Sequence, residues 1–113
     1  MKVRAICLEV FAELSEKEFR ELKELGVLNG MLRFSSNVTG ETDYSIPIEF
    51  RFMRSQKEQL VVEQSPRKVY FGRANNISFK INKHFYEKVE ENGTYGDRFY
   101  GAEGKLIIQV KDR

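Results

Sequence analysis

The 113-residue chain predicts a single α+β domain: a mostly antiparallel sheet of about six or seven strands with two short helices, in the order β-α-β-β-β-β-β-α-β. Three observations predict it. A helix beginning near Glu16 has both of its ends written in the sequence. After it, the apolar period drops from about 3.6 to about 2. Nine phenylalanines and five tyrosines against no tryptophan suit strands better than helices. A chain of this length buries roughly two-thirds of the surface it exposes when unfolded, so it needs neither disulfide nor metal to hold a core.

Residues 3–11 are apolar on both alternating faces from Ala5 onward, which predicts one strand covered on both sides and central in its sheet. Ser15 followed by Glu18 is a capping box, and Leu14 and Phe19 stand where a hydrophobic staple closes. Gly26 lies just past the last turn, with Leu22 and Val27 placed for the contact of a Schellman stop. A helix over 16–25 is therefore expected, turning Phe19, Leu22 and Leu25 to the core and its charges to water.

Residues 31–34 predict a short strand, and the turn formers of 37–43 separate it from a stronger one. There Ile46, Ile48, Phe50 and Phe52 share the core face, while Ser45, Glu49, Arg51 and Met53 share the wet face. Pro47 cannot donate to a neighbour, which predicts an edge or bulge at the start of that strand. A further strand is expected at 59–64, with a break at Ser65-Pro66. Residues 68–71 and 77–81 predict a hairpin through 72–76, where glycine and asparagine tolerate unusual backbone angles. Asn82 is the expected cap of a second helix carrying Phe85 and Val89 and closed by Asn92-Gly93. Residues 94–104 predict a glycine-rich loop. Leu106, Ile108 and Val110 form the last strand, with Ile107 on its reverse side. The opening and closing strands are expected to lie together near the sheet centre.

His84 is the only histidine and Cys7 the only cysteine, so a zinc set or a triad built from these residues fails on number alone. The glutamates of both helices read as solvated surface with local ion pairs. No catalytic residue, metal or cofactor is expected. A catalytic reading would need Asp97 or Glu103 with Arg98 around a loop-covered pocket. No run approaches the roughly 20 apolar residues of a membrane-spanning helix. The lone cysteine, with no secretory apolar segment before it, points to the cytoplasm.

The overall charge is only +2, yet residues 64–86 hold no aspartate or glutamate and carry Arg67, Lys68, Arg73, Lys80 and Lys83 with Tyr70 among them. On the expected hairpin Lys68, Tyr70 and Lys80 share one exposed patch, with Arg67 and Arg73 at its ends. Such a patch suits nucleic acid or an acidic protein surface, and predicts a small non-enzymatic binding module. In the glycine-rich stretch, Tyr95, Arg98, Phe99 and Tyr100 are large groups: either Phe99 and Tyr100 fold back as a plug over the core, or they form a tip for a partner. The second choice predicts a protein–protein inhibitor or adaptor, of the compact type that viruses and mobile elements encode. Strand edges near Pro47 or Gln59 also allow a homodimer.

Overall fold

The capping box predicted at Ser15 forms. In the computed structural model, which describes residues 1–6, 8–35, 43–53, 61–62, 76–100 and 103–111, Glu18 N–H donates to Ser15 Oγ (3.1 Å) and Ser15 N–H donates to Glu18 Oε1 (3.0 Å). This starts α1 (Glu16–Leu25), which ends at Gly26 in the left-handed conformation, φ 77°. Phe19 and Leu22 are buried as expected, but Leu25 on the last turn is 70% exposed. The second helix, α2 (Lys83–Asn92), is likewise capped by Asn82, whose Oδ1 accepts from Phe85 N–H at 2.7 Å, and stopped by Gly93.

Among the described residues the elements run, in sequence, β1 (Lys2–Ile6), β2 (Glu9–Leu14), α1, β3 (Val27–Ser35), β4 (Asp43–Met53), β5 (Val61–Val62), β6 (Ile77–Asn82), α2, β7 (Thr94–Arg98) and β8 (Lys105–Val110). They build one sheet in the order β5-β6-β4-β3-β1-β2-β8-β7. The α+β class holds, but the sheet is mixed rather than mostly antiparallel. β1 and β3, β2 and β8, and β4 and β6 pair in parallel. For the first of these the cause is the helix: β2 runs back along β1, and α1 carries the chain across so that β3 enters beside β1 in the same direction.

The sequence expectation for 3–11 also changes. This stretch is not one strand but parts of two, β1 and β2, which pair antiparallel from Lys2↔Glu13 to Ile6↔Glu9. Two-sided hydrophobicity there comes from two strands in succession. β8 does lie beside the opening segment, against β2, but one place from the end of the sheet. Residues 94–98 belong to β7 and pair with β8, so the glycine-rich stretch begins as a strand. Pro47 sits in an interior strand, opposite Met31. The missing N–H is tolerated because the β6 register starts one residue later, at Ile48↔Ile77. Among the described residues the start of β4, 43–47, is thus paired on one side only, the local edge expected at Pro47, although β4 as a whole is interior; Gln59 lies outside the described residues, and the end strands are β5 and β7.

Phe19, Leu14, Val10, Phe50, Phe79, Ile81, Phe85, Leu106 and Ile108 are all essentially inaccessible and lie between the helices and one face of the sheet. The helices meet where Phe19 stacks on Tyr86, centroids 4.2 Å apart, and Tyr86 O–H donates to the Phe19 carbonyl at 3.0 Å. In a flat sheet six strand spacings of about 4.8 Å would hold β6 and β7 roughly 29 Å apart. A ten-residue helix is only about 15 Å long, yet α2 runs from the end of β6 to the start of β7. The sheet must therefore curl. It does: Phe79 on β6 and Phe99 just beyond β7 stack at 5.8 Å, closing the gap of a half-barrel.

Glu18 also joins the first strand to α1, because its Oε2 lies 2.8 Å from the Met1 amine. Burial pushes its carboxyl up, but the hydrogen bond from that amine and those from Ser15 outweigh it and hold Glu18 below the ordinary carboxylate value. A lowered native value means that the stabilisation is complete above the ordinary carboxylate range and is lost as pH falls through the native one. The urea midpoint of Glu18→Gln is accordingly expected to lie below wild type at about pH 6 and to converge on it at about pH 3. Parallel pH profiles for the two proteins would show that the amine and the cap do not act on this carboxylate.

Candidate functional site

Strand alternation decides which side chains reach the face opposite the two described helices. On β1, Val3 points into the core, so Lys2 and Arg4 point away from it and are exposed. Register then carries this outward set across the sheet. Arg4 stands opposite Arg33 on β3 and opposite Phe11 on β2, and Phe11 stands opposite Ile107 on β8. The result is a row running across four strands: guanidinium, guanidinium, aromatic ring, aliphatic chain. Neighbouring strands are about 4.8 Å apart, so the row is continuous at side-chain scale.

A groove of about 620 Å³ follows this row. Lys2, Arg4, Arg33, Phe11, Met31 and Ile107 are among the side chains that line it. Phe11 and Ile107 are half-buried in its floor, while Met31 is 49% exposed at its side. The Arg4 guanidinium lies 5.9 Å from the Phe11 ring centroid, within cation–π range. Glu13 is the carboxylate among the described lining residues; it stands opposite Lys2 in the β1–β2 register and pairs with Lys111 at 3.5 Å. Among the described residues no carboxylate pairs with Lys2 or Arg4.

The residues expected from the sequence fall elsewhere. Arg67, Lys68, Tyr70 and Arg73 lie outside the described residues, as does Cys7. Lys80 does face away from the core, but its register neighbours are Arg51 on β4 and Val61 on β5. Val61 and Val62 flank Lys80 and Phe79 on that side of β6, and 68–71, the other arm of the expected hairpin, lie outside the described residues. Beside Lys80, Glu49 accepts from the Arg51 guanidinium and from Ser78 Oγ (3.3 Å). The Arg51 hydrogen bond, against slight burial, holds the Glu49 carboxyl below its ordinary value. Lys83 opens α2 and pairs with Glu87 at 3.8 Å.

Of the aromatic stretch, Tyr95 packs edge-on against Phe85 at 5.1 Å and Phe99 is only 5% exposed, so both serve the core. Arg98 and Tyr100 remain outside, Tyr100 with 62% exposure. The four residues therefore do not form one tip. β7 alternation puts Tyr95 inward and Arg98 outward, and the Phe79 contact draws Phe99 in. Asp97 Oδ1 accepts from Arg98 N–H at 2.8 Å, and His84 meets the edge of Tyr95 at 6.1 Å. Among the described residues no three of His, Cys, Asp and Glu gather where a metal ion could be held. Nor, among them, is any helix long and apolar enough to cross a membrane.

The groove residues were legible only in part. Lys2-Val3-Arg4-Ala5 alternates charge with apolar residues, a period-two signal for one wet face. Ile107 on the reverse of its strand was visible as well. That Phe11 and Arg33 join them depends on pairings 7 and 29 residues from Arg4, between strands whose partners the local pattern does not specify. No family model, curated protein or solved structure matches the chain.

Proposed function

We propose that the protein is a small non-enzymatic binding module that takes an anionic macromolecule on the face of its sheet opposite the two described helices. One observation carries the reading: the Arg33–Arg4–Phe11–Ile107 row lies in a groove with Lys2 alongside, and its carboxylate, Glu13, is already held by Lys111. Cations grouped in a groove with low-dielectric walls concentrate positive potential and raise both the encounter rate and the affinity for a polyanion. Apolar floor residues add contact that a purely ionic ligand would not use. This reading puts the binding surface on a different face from Lys83 and gives Phe11, rather than the basic 64–86 segment, the aromatic part.

Retention on a heparin column tests it, since heparin supplies anionic groups without bases. Arg4→Glu combined with Arg33→Glu is expected to elute at distinctly lower salt than wild type. Lys17→Glu with Lys83→Glu makes the same change in net charge on the two helices, where both lysines already pair with glutamates at 3.9 and 3.8 Å. That variant is expected to stay close to wild type. Equal losses for both variants would mean that net charge alone drives retention, and the proposed face would have no role.

A further inference from the structure

We infer that the anionic macromolecule is a single-stranded nucleic acid, with phosphates on Arg4 and Arg33 and a base stacked on Phe11. This rests on the groove being the binding surface and adds the chemistry of its occupant. The order of groups across the strands is the argument. A nucleotide carries its charge at one end and a flat apolar surface at the other. The row offers two guanidiniums, then a ring one strand further on, then Ile107.

Guanidinium forks match phosphate oxygens in a bidentate way, and an Arg4 shared between a phosphate and the Phe11 ring keeps its 5.9 Å cation–π contact. Lys2 lies two residues from Arg4 on the same outward side, about 6.6 Å along the strand, comparable to the step between successive phosphates of an extended single strand. Gln109, at the far side of the groove, supplies an amide whose donor and acceptor suit a base edge. A duplex hides its base faces in the stack, so it could use the cations but not the ring. An acidic peptide could also satisfy the cations, but carboxylates on single side chains give the half-buried Phe11 ring no flat partner.

Fluorescence anisotropy with labelled oligothymidylate and oligouridylate tests the inference, with unlabelled duplex and polyglutamate as competitors. Binding is expected, with duplex and polyglutamate competing much less well than unlabelled single strand. Phe11→Leu keeps an apolar side chain in the groove floor but removes the stacking face. It is expected to weaken single-strand affinity roughly ten-fold, within the range for loss of one stacked base, and to lower heparin retention far less than Arg4→Glu combined with Arg33→Glu does. Arg4→Gln is expected to reduce the slope of log affinity against log salt by about 0.7, one phosphate contact of a single strand.

If Phe11→Leu binds oligonucleotides as wild type does, or if polyglutamate competes as well as single strand, the nucleic-acid occupant is excluded. Should heparin retention still fall with the arginine reversals in that case, the groove remains a polyanion site and an acidic protein segment becomes its ligand. A loss of both responses would remove the groove as well as the nucleic acid.

Discussion

Ile108→Asp is expected to abolish the cooperative thermal transition. Ile108 is 1% exposed in the middle of β8, between Ala12 of β2 and Tyr95 of β7. Removing its side chain forfeits about 2 to 3 kcal/mol of apolar burial. An unpaired carboxylate in its place adds several kcal/mol more, because the buried residues described around it are apolar and bring no cation to meet it. Against a total stability of about 5 to 15 kcal/mol, the sum leaves little or nothing. Ile48→Asp, at 2% exposure on β4, is expected to behave alike. Gln109→Asp, one residue along on the exposed face, is the control and should shift stability by no more than about 0.5 kcal/mol. A circular-dichroism melt of Ile108→Asp that overlays wild type would show that the helix-facing side of the sheet is not the core.

Gly104→Ala is the second large effect expected. Gly104 holds φ 113°, a backbone conformation that side chains with a Cβ strongly resist. A methyl group there would lie 2.3 Å from the Leu8 carbonyl oxygen and 3.2 Å from the Phe99 ring. Both neighbours are committed: Leu8 C=O accepts from Lys105 N–H at 3.2 Å, and Phe99 N–H donates to the Gly104 carbonyl at 3.0 Å. Relief of the clash must therefore loosen the β1–β2 turn, the start of β8, or the Phe99 plug against Phe79. A loss of about 3 kcal/mol in urea unfolding is expected. Gly26→Ala provides the comparison, because Gly26 also has positive φ, 77°, but a methyl group there would meet nothing within 4 Å. It should cost about 1 kcal/mol, the conformational part alone. Equal losses at the two sites would mean that the close approach to Leu8 contributes nothing.

The helices were the most legible part of the fold, and the reason is locality. A cap, an inward-facing pair and a glycine stop all lie within about a dozen residues, so Ser15, Glu18, Phe19, Leu22 and Gly26 suffice to write α1, as Asn82, Phe85, Val89 and Gly93 do for α2. Strand faces were legible on the same ground: alternation alone assigns Ile48 and Phe50 inward and Glu49 and Arg51 outward. Leu25 marks the limit of this reasoning, since helical period put it inward and the last turn leaves it in solvent.

The candidate site was much less legible. A charge count along the chain singles out residues 64–86, because that segment lacks acids. Electrostatic potential is set by neighbours in space, however, and the described cations of that segment sit beside Val61 and Arg51 or against Glu87. Arg4 and Arg33 stand in stretches of ordinary composition and become a pair only when β1 and β3 lie parallel in register.

From its order of residues alone, this chain specified two capped helices, an α+β class and the inward face of most strands, because each depends on interactions between residues close in sequence. Strand order, the three parallel pairings, the curl that brings Phe79 to Phe99, and the row from Arg33 to Ile107 were decided only in three dimensions. Pairing partners are selected by burying the whole apolar face against two helices at once, a global packing requirement that no local window contains.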